Sequence, residues 1–109
     1  MNEKYLNYIN RNNNLMDYKM YKVVGDSMAP YYLDGDVITV KESDTAESGD
    51  DVIMLFEDLT GTLRRFIKED NCYTFKAFNK NDKSYHYDNP DDFHIVGVVV
   101  RMTRNYKDD

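Results

Sequence analysis

The chain has 109 residues, enough for one domain with one modest core, and a formal net charge of -6 from 20 acidic and 14 basic residues. That balance, with no basic block, argues against a chain that grips a nucleic-acid backbone by itself, because such affinity comes from lysine and arginine. One cysteine, Cys72, leaves no intrachain disulfide framework and no paired-cysteine metal motif, which fits a reducing cytoplasm. No stretch approaches the ~20 apolar residues of a membrane-spanning helix, and residues 1–20 lack the apolar core of a signal peptide. No metal or cofactor is expected.

Residues 1–19 read as a linker or N-terminal arm. Tyr5, Leu6, Tyr8 and Ile9 suggest at most a weak amphipathic turn, which Arg11-Asn12-Asn13-Asn14 interrupts, since asparagine favours turns over helix interiors. From Met20 the pattern becomes strand-like. Residues 20–24 form a short apolar run that ends at Gly25-Asp26-Ser27-Met28-Ala29-Pro30. Residues 36–41 alternate, with Val37 and Thr39 on one face and Ile38 and Val40 on the other. Residues 52–56 are continuously apolar, as in a strand buried on both faces.

Residues 62–68 alternate again, placing Leu63, Arg65 and Ile67 on one face and Thr62, Arg64, Phe66 and Lys68 on the other. Glu69-Asp70-Asn71 is a turn signal, so 62–68 and 72–78 should form a hairpin. Residues 43–51 and 79–92 are polar and read as connections. Residues 93–102 form the longest β-type run. Its apolar part, 95–100, is open to two readings, a self-associating edge or an interior strand. Short strands at close spacing with no good helix predict a mainly β domain.

Ser27 sits where chemistry is expected. A serine hydroxyl attacks a carbonyl only with a neighbouring base and with backbone N–H donors for the oxyanion. Gly25 allows close approach of a substrate backbone, the amide of Ser27 can serve as an oxyanion donor, and Pro30 stiffens the segment after it. Beyond the Ser-Met pair come Asp34-Gly35-Asp36-Val37-Ile38-Thr39-Val40, Val52-Ile53-Met54-Leu55, Thr62-Leu63-Arg64-Arg65-Phe66, Lys76-Ala77-Phe78-Asn79 and Ile95-Val96-Gly97-Val98-Val99-Val100-Arg101. In this order they resemble the LexA-type serine peptidases, the self-cleaving repressors and their relatives, over about residues 20–104.

The resemblance implies a complex β-fold of short twisted strands around a small barrel-like core, shared with signal peptidases, spanning residues 20–106. It implies that Ser27 is the nucleophile position and that Gly25 and Met28 shape the cleft and oxyanion site. It also implies a Ser-Lys dyad, but Arg64 stands at the base-lysine position. A lysine buried in an apolar site sheds its proton near neutral pH, whereas arginine, with a pKa above ~12, does not. Arg64 can orient Ser27 or bind a carbonyl oxygen; it cannot take the serine's proton. The enzyme is therefore expected to be inactive or very slow.

Position disfavours the substitute bases. Lys68 shares a strand face with Arg64 but lies roughly 13 Å further along at ordinary strand rise. His86 and His94 do not occupy the matching position and read as loop or surface residues. Self-cleaving relatives cut at a small residue followed by glycine, commonly Ala-Gly or Cys-Gly, upstream of the serine. The glycines here follow Val24, Asp34, Ser48, Thr60 and Val96, so no such site lies within this sequence.

The function implied is the C-terminal, dimerising domain of a prophage- or SOS-type transcriptional repressor in the cytoplasm. DNA contact would be left to a separate helix-turn-helix domain, and a recombinase filament or an antirepressor would be a further partner. The alternative is a UmuD-like accessory protein of translesion DNA synthesis. A membrane-anchored signal peptidase is disfavoured by the absence of an anchor.

Overall fold

The structure is a computed structural model and describes residues 6–9 and 17–105. Eight strands follow in chain order: β1 Leu6–Ile9, β2 Tyr18–Val23, β3 Val37–Glu42, β4 Asp51–Leu55, β5 Gly61–Glu69, β6 Cys72–Lys76, β7 Tyr85–Tyr87 and β8 His94–Thr103. A single 3-10 turn, Pro90–Asp92, precedes β8 and is capped by Asn89, whose side chain accepts the amide of Asp91 at 2.9 Å. All eight strands join one antiparallel sheet in the order β1-β2-β3-β8-β4-β5-β6-β7. The sheet curls far enough for β1, at one edge, to approach β5, which gives the barrel-like core that the sequence predicts.

The apolar run of β4 is explained by two cores. Val52 and Met54 pack with Phe66, Phe75 and Ile95, while Ile53 turns the other way to join Val23, Met28, Tyr32, Ile38, Val40 and Leu63. Alternation along a strand sends neighbours to opposite faces, so a strand covered on both faces must be apolar throughout. β8 is built the same way and lies between β3 and β4. The interior reading therefore holds for residues 95–98, which β4 covers, whereas Val99 and Val100 lie beyond β4 and, among the described strands, keep the side away from β3 open. Gly97 makes the close packing of β8 on β3 possible. A Cβ there would collide with Val40 Cγ1 and lie 2.9 Å from the Lys41 carbonyl oxygen.

The predicted hairpin is present, with Glu69 opposite Cys72 and the turn narrowed to Asp70 and Asn71. Three features differ from the sequence reading. β2 begins at Tyr18, two residues early, so Tyr18 and Lys19 belong to the sheet rather than to an arm. Leu6–Ile9 is extended and paired with β2 instead of helical. One or two isolated helical turns cannot repay their nucleation cost, whereas the open edge of β2 offers a ready ladder. Most of the predicted arm lies outside the described residues. The third difference is β7, inside the stretch read as polar connection, where Tyr85 and Tyr87 flank His86 and pair with β6.

Candidate functional site

Ser27 lies in the connection between β2 and β3, and that connection is tied down at both ends. The amide of Val23 donates to the Asp36 carbonyl at 2.8 Å, and the amide of Gly35 donates to the Val23 carbonyl at 2.7 Å. Gly25 adopts a φ of 97°, a left-handed conformation that favours glycine, and its amide donates to Asp34 Oδ1 at 2.8 Å. Beyond Ser27 the chain turns tightly. Ala29 donates to the Asp26 carbonyl at 3.1 Å, and both Tyr31 and Tyr32 donate to the Met28 carbonyl, at 2.9 and 3.1 Å. The Ala29-Pro30 peptide is cis.

A distant segment completes the hold. The Ser27 carbonyl accepts the amides of Phe78 at 3.0 Å and Asn79 at 2.9 Å, and Asn79 Nδ2 donates to the Asp26 carbonyl at 3.3 Å. Asn79 Oδ1 in turn accepts the amide of Asn81 at 2.9 Å. The turn after β6 is thus stapled onto the Ser27 loop, with most of the bonding done by main-chain groups.

Ser27, Met28 and Arg64 line one small cavity of about 10 Å³ together with Val23, Val24, Thr62 and Leu63. Ser27 is 9% exposed, Met28 2% and Arg64 0%. The structure thus brings together three of the four residues singled out in the sequence. Gly25 is not among the lining residues; it sets the turn leading to Ser27.

Arg64 comes from the middle of β5, opposite Val52 of β4. Its Nε donates to the Lys83 carbonyl at 3.0 Å, and Nη1 donates to Thr62 Oγ1 at 2.9 Å and to the Leu63 carbonyl at 2.8 Å. Its Cζ stands 5.6 Å from the centre of the Tyr85 ring. A fixed planar fork meeting three oxygens in different directions is what a guanidinium provides and an ammonium does not. Lys83 and Tyr85 were not singled out in the sequence. A carbonyl acceptor leaves no trace in side-chain identity, and only the tyrosines flanking His86 hinted at a short strand there.

The neighbouring arginine does a different job. Arg65 faces Asp51 across the β4–β5 ladder and binds it bidentately, Nε to Oδ1 at 2.7 Å and Nη2 to Oδ2 at 3.0 Å. Tyr32 donates its hydroxyl to Asp51 Oδ2 at 2.6 Å. Burial, then the hydrogen bond to Asp51, pushes the Tyr32 phenol well above its ordinary value, and the hydrogen bond to Asp51 raises Arg65. The Arg65 Cζ also lies 4.8 Å from the centre of the Phe78 ring and 5.2 Å from that of Tyr31, two rings that meet edge-on at 4.7 Å. The cluster reaches the Ser27 turn through Tyr31 and Tyr32, whose amides donate to the Met28 carbonyl.

None of the substitute bases reaches the Ser27 cavity. Lys68 is exposed, with Nζ 6.0 Å from the Tyr73 ring, and it lines a separate groove of about 430 Å³ together with His94. His86 is exposed on β7 with Nδ1 3.1 Å from Thr74 Oγ1. Among the described residues no cluster of three or more His, Cys, Asp or Glu side chains is placed to hold a metal ion. No helix among them is long and apolar enough to cross a membrane.

Comparison with known proteins agrees with this geometry. Residues 2–100 match the Peptidase S24-like family. The chain is 35% identical over 102 residues to a LexA repressor of Clostridium perfringens, covering 93% of this chain and 47% of that protein. It is 35% identical over 89 residues to a LexA repressor of Staphylococcus epidermidis and 34% identical to one of Staphylococcus aureus, in each case covering 81% of this chain and 42% of the relative. The chain therefore spans less than half the length of these relatives. With a serine-bearing loop closed over a fully β frame and a family match along almost its whole length, the chain belongs to the S24 peptidase-like family.

Proposed function

We propose that this chain is the dimerising, peptidase-like domain of a LexA-type transcriptional repressor, and that it acts by binding rather than by cutting. Ser27 occupies the nucleophile position and Arg64 the base position. The observation that carries this reading is the complete burial of Arg64 in the wall of the Ser27 cavity. Its Nε and Nη1 donate to the Lys83 carbonyl, Thr62 Oγ1 and the Leu63 carbonyl, and so fix the guanidinium in that wall. General-base catalysis needs a group that accepts a proton, which an arginine at the base position does not supply. Met28 packs the cavity wall, and Gly25 sets the turn that presents Ser27. Labelling by a fluorophosphonate probe, compared between wild type, Ser27→Ala and Arg64→Lys, tests the assignment.

Dimerisation is supported by the pairing of β8. β4 covers only residues 94–98 of that strand, and β3 covers 97–103 on the opposite side. Among the described strands, nothing pairs with 99–103 on the side away from β3. Val100 is 53% exposed there. A half-paired strand end offers main-chain donors and acceptors to a second copy. Pairing two copies would bring two DNA-binding domains to adjacent half-sites, and the acidic charge of this domain fits that division of labour. Sedimentation of wild type against Val100→Pro, which removes one main-chain donor, tests this part: a dimer lost in the variant supports it, and a monomeric wild type rejects it.

A further inference from the structure

Asp36 is only 2% exposed although it lies outside the Ser27 cavity. A carboxylate removed from water stays charged only where donors replace that water. Three do so. The amide of Leu33 donates to Oδ2 at 2.7 Å, and Arg104 donates through Nε to Oδ1 and through Nη2 to Oδ2, both at 2.8 Å. The main chain of Asp36 is engaged as well. Its carbonyl accepts the amide of Val23 at 2.8 Å, and its amide donates to the Leu33 carbonyl at 3.0 Å. Val23 is where the chain leaves β2 for Ser27, and Leu33 is where it returns. One residue therefore grips both ends of the serine loop.

The cation that satisfies this residue comes from far along the chain. Arg104 directly follows β8, and its side chain is 43% exposed. A bidentate pair is all-or-none in a way a single bond is not. Moving the planar fork breaks both contacts together and leaves the Asp36 carboxylate with the Leu33 amide as its remaining donor in this set. Such a carboxylate must turn toward solvent, and the Leu33 amide that donates to it must then move with it or lose that partner.

We infer that Asp36 is the positioning residue of the Ser27 loop and that Arg104 makes this positioning depend on the C-terminal end of β8. Residues 99–103 are the same half-paired stretch proposed to form the dimer. The consequence for assembly, that a second copy paired there changes the geometry at Ser27, rests on that reading; the positioning role does not. The pair is a mechanical link between an association edge and a peptidase-like cleft some distance along the sheet.

Backbone amide spectra of the whole chain test the link, recorded for wild type, Arg104→Gln, Arg104→Lys, Asp36→Asn and the Asp36→Asn/Arg104→Gln double variant. Arg104→Gln and Asp36→Asn should displace the Gly25, Asp26, Ser27 and Met28 resonances in the same direction. The double variant should add little to either, and Arg104→Lys should recover part of the shift. In wild type the same resonances should move with concentration through the monomer–dimer transition followed by sedimentation, and that movement should vanish in Arg104→Gln.

Resonances at 25–28 that stay put in Arg104→Gln, or shifts that simply add in the double variant, overturn the positioning role. A concentration-dependent shift that survives in Arg104→Gln overturns the coupling while leaving the dimer intact. A wild type that stays monomeric rejects the dimer and with it the coupling, and the loop resonances still decide the positioning role. Should Asp36→Asn not fold, the two Arg104 variants, which alter a half-exposed side chain, decide it alone.

Discussion

The carbonyl oxygen of Ser27 accepts the amide of Asn79 at 2.9 Å, and the Asn79 side chain returns to the carbonyl of Asp26, the residue before the serine. The serine loop is thus held by a segment that follows it by half the chain. Replacing Asn79 by alanine keeps the amide bond and removes the side-chain bonds to Asp26 and Asn81. The expected cost is about 1 kcal/mol, the net worth of an ordinary protein hydrogen bond, seen as a lower urea midpoint at unchanged slope.

Arg64 is structural as well as positional. Arg64→Met deletes the donors that satisfy Thr62 Oγ1 and the carbonyls of Leu63 and Lys83 in a buried place. Stability should fall by about 2–4 kcal/mol, more than for Asn79→Ala, because buried acceptors are left unpaired. A loss under ~1 kcal/mol by chemical denaturation would mean that water enters and replaces the guanidinium without difficulty.

Acid should act through Asp36. The Arg104 hydrogen bonds hold its carboxyl below the ordinary value of 3.8. A folded-state pKa below the unfolded one adds stability that is complete above the unfolded value and is lost as pH falls through the folded value. Urea midpoints measured from pH 6 down to pH 2 should decline below about pH 4 in wild type. Asp36→Asn should start less stable and decline less steeply over that window.

Alkali should act in the opposite sense through Tyr32. Its phenol lies above the ordinary value of 10.0, chiefly because it is buried and then because it donates to Asp51. A raised pKa favours the folded state while the phenol keeps its proton, and that advantage disappears as pH rises through the folded-state value. Phenolate absorbance should show a late step above the ordinary tyrosine range, or only on unfolding, to which Tyr32 contributes. Tyr32→Phe should diminish that late step.

Gly97 is needed for space rather than for its backbone angle. Alanine there would press on Val40 and on the main chain of Lys41, atoms within the β3–β8 ladder that have no flexible end to yield. Gly97→Ala should cost about 1–3 kcal/mol, as overpacking of a core does, and should lower the melting temperature.

Much of the frame was legible because its strands carry period-two patterns with a physical cause. The apolar run of β4 announced burial on both faces, and the hairpin of β5 and β6 followed from Asp70 and Asn71. Ser27, Met28 and Arg64 were legible as a group because their order along the chain resembles the family's. β7 was hidden because three residues of alternating tyrosine and histidine inside a polar stretch give too short a period. Leu6–Ile9 was hidden because a strand that pairs at an open edge draws its order from its neighbour, not from its own pattern. The position of β8 between β3 and β4 was undecidable from sequence, since an apolar run serves an interior strand and a self-pairing edge equally well. The tie of Asp36 to Arg104 spans most of the chain and rests on charges that resemble any other surface aspartate and arginine.

We propose at the centre a peptidase-like frame that persists with arginine at its base position. Fluorophosphonate labelling at pH 7 and pH 10 of wild type, Ser27→Ala and Arg64→Lys addresses it directly. Wild type should label no more than Ser27→Ala, while Arg64→Lys should label and do so faster at pH 10, where a lysine in that cavity has lost its proton. Wild-type labelling that Ser27→Ala abolishes would contradict a lost base and show that Ser27 is activated by a group other than a lysine at position 64.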